Sequence, residues 1–301
     1  MHWSAGESFK LWCDIFLGMP TKITLQLHSE RDFRMPRFTG HIARALVLHM
    51  IRMADPAAAL ELHQLNVLKP FAVEPLYFKA KEKYADGYLA DCTSPCRMVV
   101  KVLDDSMVQE FVACMSSSAM VMIRDCEMRI GEMRIEQRGY CDMGKRFGAD
   151  PGEAGGLLKF GIRFETPTLF AVKDARYYSL FPEPELALMN LLRVWNKFSG
   201  GSAEREIPKA FREWVRRRVG VVGYELAVQR IAVERAKARS GFTGWVKYEM
   251  ADKEYAALVA KLLDFAEYSN IGKDRTAGFG VARGWMGQRV AQPGYEKSSR
   301  T

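Results

Sequence analysis

Histidine is scarce in this chain: His2, His28, His41, His49 and His63 are all it has in 301 residues, and none lies beyond residue 63. Any proton transfer that depends on imidazole at neutral pH therefore belongs to the N-terminal part. Paired cysteines are also lacking. Cys13, Cys92, Cys96, Cys114, Cys126 and Cys141 are scattered, and the closest two form C-x-x-x-C with no second pair or histidine cluster nearby. That spacing writes neither a zinc site nor a disulfide framework, so free thiols in a reducing compartment are expected, with no metal and no other cofactor. Only Cys92 and Cys96 are spaced for a bridge or a ligand pair. No apolar run approaches the ~18 residues of a membrane span. "FKLWCDIFLG" has neither the basic start nor the small-residue cleavage site of a signal peptide, which leads to a soluble, cytoplasmic protein with no membrane partner. Met19 opens a cleaner pattern than Met1, so residues 1–18 read as an N-terminal extension.

Positive charge is plentiful. The 44 Lys and Arg exceed 36 Asp and Glu, giving net charge +8 and a pI near 9.1, which suits an anionic partner. Between Arg205 and Ser240 ten basic residues face four acidic ones, so most of the excess sits in one stretch.

The apolar pattern predicts a repeated architecture. "TKITLQLHS" (21–29) alternates as a strand, and Phe38, Ile42, Leu46, Met50 and Met53 recur at helical spacing until "ADP" stops the run. "LYFKAKEKY" and "RMVVKVL" read as strands, "DDSMVQEFVACMSSS" as a helix, and "VMIRDCEMRIGEMRIEQ" as one long or bent strand. After the Gly/Pro-rich stretch 147–156 a second round follows: "LLKFGIRFETPTLF" as a strand, helices in "PELALMNLLRVWNKF" and "PKAFREWVRRRV", and a strand in "YELAVQRIAVERAKAR". That strand is expected to pair with "FTGWVKYEM" across Ser240 and Gly241. A helix in "DKEYAALVAKLLDFAEYS" and a closing strand in "GFGVAR" complete the round. The order β-α-β-β-α-β, twice, predicts an α+β chain of two tandem ferredoxin-like (RRM-like) domains. The boundaries drawn are 19–146 and 157–290, joined by a linker at 147–156 and followed by a flexible tail at 291–301.

The richest motif is "SNIGKDRTAGFGVARG" (269–284). Its glycines fit neither a P-loop nor a dinucleotide-binding turn, and it runs from a helix into a strand. Two readings remain. Gly272, Gly278 and Gly280 beside Lys273 and Arg275 could let amides and cations approach a phosphate chain, or the glycines serve a tight connection that needs positive φ. On a strand, Arg235, Lys237 and Arg239 would form a basic stripe, which is either a nucleic-acid contact or a solvated edge. Among the histidines, His41 lies about one turn into the first helix, and His49 continues the apolar face of Ile42 and Met53, which reads as a buried histidine. His63, in "LELHQLNVLKPFAVEPL", precedes Lys69 by six residues: a proton carrier beside a cation, useful in phosphoryl chemistry.

Taken together, "LHQLNVLKPFAVEPL", "IRFETPTLF" followed by "YYSLFPEPELALMNLLRVWNKF", and "GFTGWVKYEM" leading to "IGKDRTAGFG" resemble the CRISPR repeat endoribonucleases, the sixth family of Cas proteins and a branch of the RAMP superfamily. The resemblance runs from Met19 to about Gly284. It implies a metal-independent endoribonuclease that cuts precursor CRISPR RNA within each repeat by 2′-hydroxyl attack, leaving a 2′,3′-cyclic phosphate and a 5′-hydroxyl. It further implies His63 as the catalytic histidine, with His41 and then His49 as substitutes, and Lys69 as the stabilising cation. The family's first-helix tyrosine is replaced by Leu48, and the first glycine of its terminal loop by Asn270. Gly272, Lys273, Arg275, Gly278, Gly280, Arg235, Lys237 and Arg239 are the implied RNA contacts. The rival reading is a non-catalytic RAMP-type RNA-binding subunit of a CRISPR effector complex. A generic protein with two RRM-like folds would need an aromatic-rich RNP1-like string, which is missing. Repeat RNA is the expected partner and other Cas proteins are further candidates; monomer and homodimer both stay open.

Overall fold

The structure, a computed structural model, describes residues 19–63, 68–117, 120–148, 158–199, 207–232 and 238–287. In the first half it shows β1 (Thr21–His28), β2 (Phe33–Pro36), α1 (Gly40–Ala54), α2 (Pro56–His63), β3 (Phe71–Val73), β4 (Ala80–Lys83), β5 (Gly87–Ala90), β6 (Cys96–Val102), α3 (Asp105–Ser117), β7 (Met120–Ile123) and β8 (Cys126–Gln137). The second half contributes β9 (Leu158–Thr168), β10 (Phe170–Ala171), β11 (Tyr178–Ser179), α4 (Pro184–Phe198), α5 (Ile207–Arg218), β12 (Val219–Ile231), β13 (Arg239–Met250), α6 (Ala256–Ser269) and β14 (Ala282–Met286).

Two antiparallel sheets carry the architecture. One has the order β3-β6-β1-β8-β7, the other β12-β13-β9-β14. Taking the core strands of each βαββαβ unit in turn, both sheets run second, third, first, fourth, the ferredoxin-like order. The chain is thus an α+β protein with two tandem ferredoxin-like folds.

Strand β1 forms because its alternation commits one face: Ile23, Leu25 and Leu27 are buried while Lys22, Thr24 and Gln26 lie half in water. Helix α1 buries an arc from Ile42 and Ala43 through Leu46, Val47 and Met50 to Ile51. At about 100° per residue His49 falls just outside the Ile42 edge of that arc. It is accordingly exposed, with its Nδ1 3.3 Å from Arg52 Nη2. The expectation of a buried His49 is corrected on that ground. Met53, read as the end of the apolar face, is 66% exposed, because the core stops at Ile51.

Three strand assignments also change. Residues 121–137 are not one bent strand but a β7–β8 hairpin, turned at Arg124, whose φ is 57°, and Asp125. Of "LYFKAKEKY", only Ala80–Lys83 is a strand, and it joins β2 and β5 in a small separate sheet. The place expected for it beside β6 is taken by Phe71–Val73. In the second half, Arg230 pairs with Ser240 and Gln229 with Gly241, so those two residues lie inside β13 and the hairpin turns earlier. The first of these hairpins misleads because Arg124 and Asp125 turn it without glycine or proline, which gives no punctuation to the pattern.

Most of the stretch drawn as a linker lies outside the described residues, as do residues 1–18 and the tail 291–301. No helix among the described residues is long and apolar enough to cross a membrane. Each sheet carries its own buried cluster, and a third, formed by Phe38, Leu169 and Phe279, sits between the halves. There the Phe38 and Phe279 rings meet edge to face at 5.0 Å. A charged junction reinforces it: fully buried Asp264 of α6 accepts from Arg138 Nη1 at 2.9 Å and from the Gly144 amide at 2.9 Å, and pairs with Arg146 Nε at 2.9 Å.

Candidate functional site

A cleft of about 750 Å³ opens where the two halves face each other. Its floor includes His41, in the first turn of α1, and its walls carry Arg34 and Arg37 from the approach to that helix. Arg124 enters from the β7–β8 turn, and Arg230 reaches in from the far end of β12, so both halves supply cations. Tyr84 and Tyr88 of the β4–β5 hairpin line the same space, the Arg34 guanidinium lying 5.2 Å from the Tyr84 ring centroid. Four arginines against Asp86 make this a focused positive field, suited to a polyanion, and the tyrosines offer faces on which bases can stack. His41 lines this cleft, and its two ring nitrogens are themselves buried.

Lys69 stands just before β3. Burial, with the Arg44 guanidinium second, pulls its ammonium below the ordinary lysine range. Arg44 lies three residues beyond His41 on α1, so its influence places the Lys69 ammonium near the helix that carries His41. The backbone of His63 closes α2, while its side chain and residues 64–67 lie outside the described residues. The structure therefore groups His41 with an arginine-lined cleft and separates His49 from it.

The glycine loop packs against the other half of the molecule. A β-carbon added at Gly40 would lie 2.1 Å from the Ala277 carbonyl oxygen and 2.8 Å from Gly278 Cα. Only two glycines permit that approach, immediately before His41. Gly272, Gly278 and Gly280 all take positive φ. Arg275 is not a solvent-facing cation: it is 5% exposed, donates to the Ser269 and Lys69 carbonyls, and is held down to about 10 by burial and the nearby Arg193. Its expected role as an RNA contact is corrected by that geometry, since its donors already serve backbone acceptors. Lys273 is exposed. Arg239 belongs to β13 rather than to a stripe on β12, and it pairs with Asp274 at 3.1 Å. Arg235 and Lys237 lie outside the described residues. The arginines of α5 are largely spent on Glu185, Glu213 and Asp252.

Residues 162–282 match the family model described as CRISPR-associated endoribonuclease Cas6. The CRISPR-associated endoribonuclease Cas6 of Mycobacterium tuberculosis (strain CDC 1551 / Oshkosh) is 24% identical over 292 residues, 93% of this chain and 87% of that protein. The chain is thus similar to the Cas6 endoribonucleases. CRISPR RNA processing by an endoribonuclease is what that similarity supports. Solved Cas6 structures have the same fold: a Cas6 product complex at TM-score 0.70 and 22% identity, covering 89% of this chain and 99% of that one, and a Thermus thermophilus Cas6 at 0.63 and 23%, covering 88% and 98%. A RAMP protein binding different RNA substrates follows at 0.56 and 11%, covering 90% and 100%.

Within this Cas6 fold, sequence reasoning missed Arg34, Arg37, Arg44, Arg124 and Arg230. The pair Arg34 and Arg37, closing on the helix that carries His41, was the available signal. Arg124 and Arg230 become neighbours only through tertiary structure.

Proposed function

We propose that the chain cuts precursor CRISPR RNA within its repeats by metal-independent transesterification, with His41 as the proton acceptor. A ring nitrogen of neutral His41 takes the proton of the ribose 2′-hydroxyl as that oxygen bonds to the adjacent phosphorus. The bond from phosphorus to the 5′-oxygen breaks, and that oxygen takes a proton from solvent water and leaves as a 5′-hydroxyl. The other product is a 2′,3′-cyclic phosphate. Lys69 stabilises the negative charge that grows on the non-bridging oxygens, and the cleft arginines hold the flanking strand. Exposed Lys273 is a further backbone contact.

One observation carries the choice of His41: of the described histidines it is the one that lines the cleft that has the arginines. RNA as the ligand is supported by relatives solved as a product complex and as a substrate mimic complex.

The decisive assay uses labelled repeat RNA in excess EDTA beside the same RNA with a single 2′-deoxy nucleotide at the cut. Cleavage of the first and survival of the second is expected. Tight binding without cleavage would instead identify a non-cutting RNA-binding subunit. The cleft makes its own prediction. Replacing Arg124 and Arg230 with alanine should lower the slope of log K against log salt by about 0.7 to 0.9 unit for each phosphate that is no longer neutralised. An unchanged slope in a binding titration would remove both from the RNA path.

A further inference from the structure

Asn270 ends α6 with φ 53° and ψ 172°, a backbone conformation that favours glycine. Its side chain accounts for its presence there. The residue is fully buried, and its Oδ1 accepts from Lys101 Nζ at 2.8 Å. Lys101 lies on β6 in the other half and pairs with Glu74 at 2.9 Å. The Nδ2 of Asn270 donates to the Val73 carbonyl of β3 at 2.9 Å and, within its own loop, to Phe279 at 3.2 Å and more weakly to Arg275 at 3.4 Å. A carboxamide suits this position because it accepts and donates at once. Five residues on, Arg275 donates to the Lys69 carbonyl at 3.2 Å, and Gly278 rests on Gly40, next to His41. One loop therefore grips the segment that carries Lys69 and the start of the helix that carries His41.

We propose that Asn270 is a positioning residue for cleavage: its amide, acting with Arg275, seats the glycine loop so that the loop sets the separation of Lys69 and His41. The proposal rests on the reading of His41 as the proton acceptor. Glycine at 270 would relax the backbone but leave the buried Lys101 ammonium and the Val73 carbonyl short of a partner. Aspartate would keep the acceptor for Lys101 while setting a carboxylate against the Val73 and Phe279 carbonyls. A shift of the reacting groups by about 1 Å is enough to cost about 100-fold in rate.

The test measures single-turnover cleavage at saturating repeat RNA, and separately the Kd for the uncleavable 2′-deoxy RNA. Asn270→Gly and Asn270→Asp should each lose about 10- to 100-fold in rate while Kd moves by less than about threefold. Lys101→Met attacks the same hydrogen bond from its other end and carries the test if the loop variants fail to fold. Its effect and that of Asn270→Gly should be non-additive in the double variant. Amide hydrogen exchange should quicken at residues 69–73 in both. Full-rate cutting by Asn270→Gly beside an inactive His41→Ala overturns the positioning role and leaves His41 standing. Full-rate cutting by His41→Ala overturns the reading underneath. A rise in Kd that accounts for the whole fall in rate also overturns the proposal, because it would make the loop an RNA contact and nothing more.

Discussion

His41→Ala is expected to reduce single-turnover cleavage by about 10²- to 10⁴-fold, the usual worth of a positioned general base, with repeat RNA still bound at close to wild-type affinity. The ring sits in the first turn of α1, where the alanine methyl keeps the helix intact, and the neighbouring buried residues Ile42 and Ala43 are untouched. The loss should therefore appear in the chemical step and not in folding. His63→Ala is the companion measurement. If that variant shows the large fall and His41→Ala does not, proton transfer belongs to the exit of α2, as the sequence resemblance implied. His49→Ala should be close to neutral, since that ring lies in solvent beside Arg52.

Asp264→Ala should be the most damaging change to stability, about 3 kcal/mol or more. The carboxylate is fully buried and holds three groups: the guanidinium groups of Arg138 and Arg146 and the Gly144 amide. Removing it leaves Arg138 and the Gly144 amide facing a cavity, with Arg146 held by Glu267, and groups stripped of their partner cost more than the broken bonds themselves. Asp264→Asn keeps an acceptor for the Gly144 amide and should lose less. A denaturant titration reads both, as a lower midpoint at unchanged slope. An unchanged midpoint in Asp264→Ala would show that Arg138 and Arg146 are adequately solvated without it.

Much of the architecture was legible because period and punctuation are local. The alternation of residues 21–28 and the 3.6-residue recurrence in α1, α4 and α6 needed no tertiary knowledge. What failed were features that depend on neighbours. Arg124 and Asp125 turn a hairpin without glycine or proline, and Ser240 and Gly241 look like a turn yet are paired inside β13. His49 looked buried because it shares a helical face with Ile42, and only the actual direction of the core moves it into water. The site shows the same division. Lys69 and the histidines could be nominated from residue type, but the choice among the histidines needed the cleft that Arg124 and Arg230 complete from opposite halves. Arg275 shows the reverse error: a basic residue among glycines suggests an anion, whereas its own backbone neighbours already occupy it.

The bare meeting of Gly40 with Gly278 bears on how such chains can be recombined. Each glycine is demanded by a segment more than two hundred residues away, so neither half is an interchangeable module. A chimera that grafts this C-terminal unit onto a foreign N-terminal one would have to supply a residue without a side chain ahead of the recipient's first helix. Otherwise the seam is wedged open immediately before His41 and the cleft it lines.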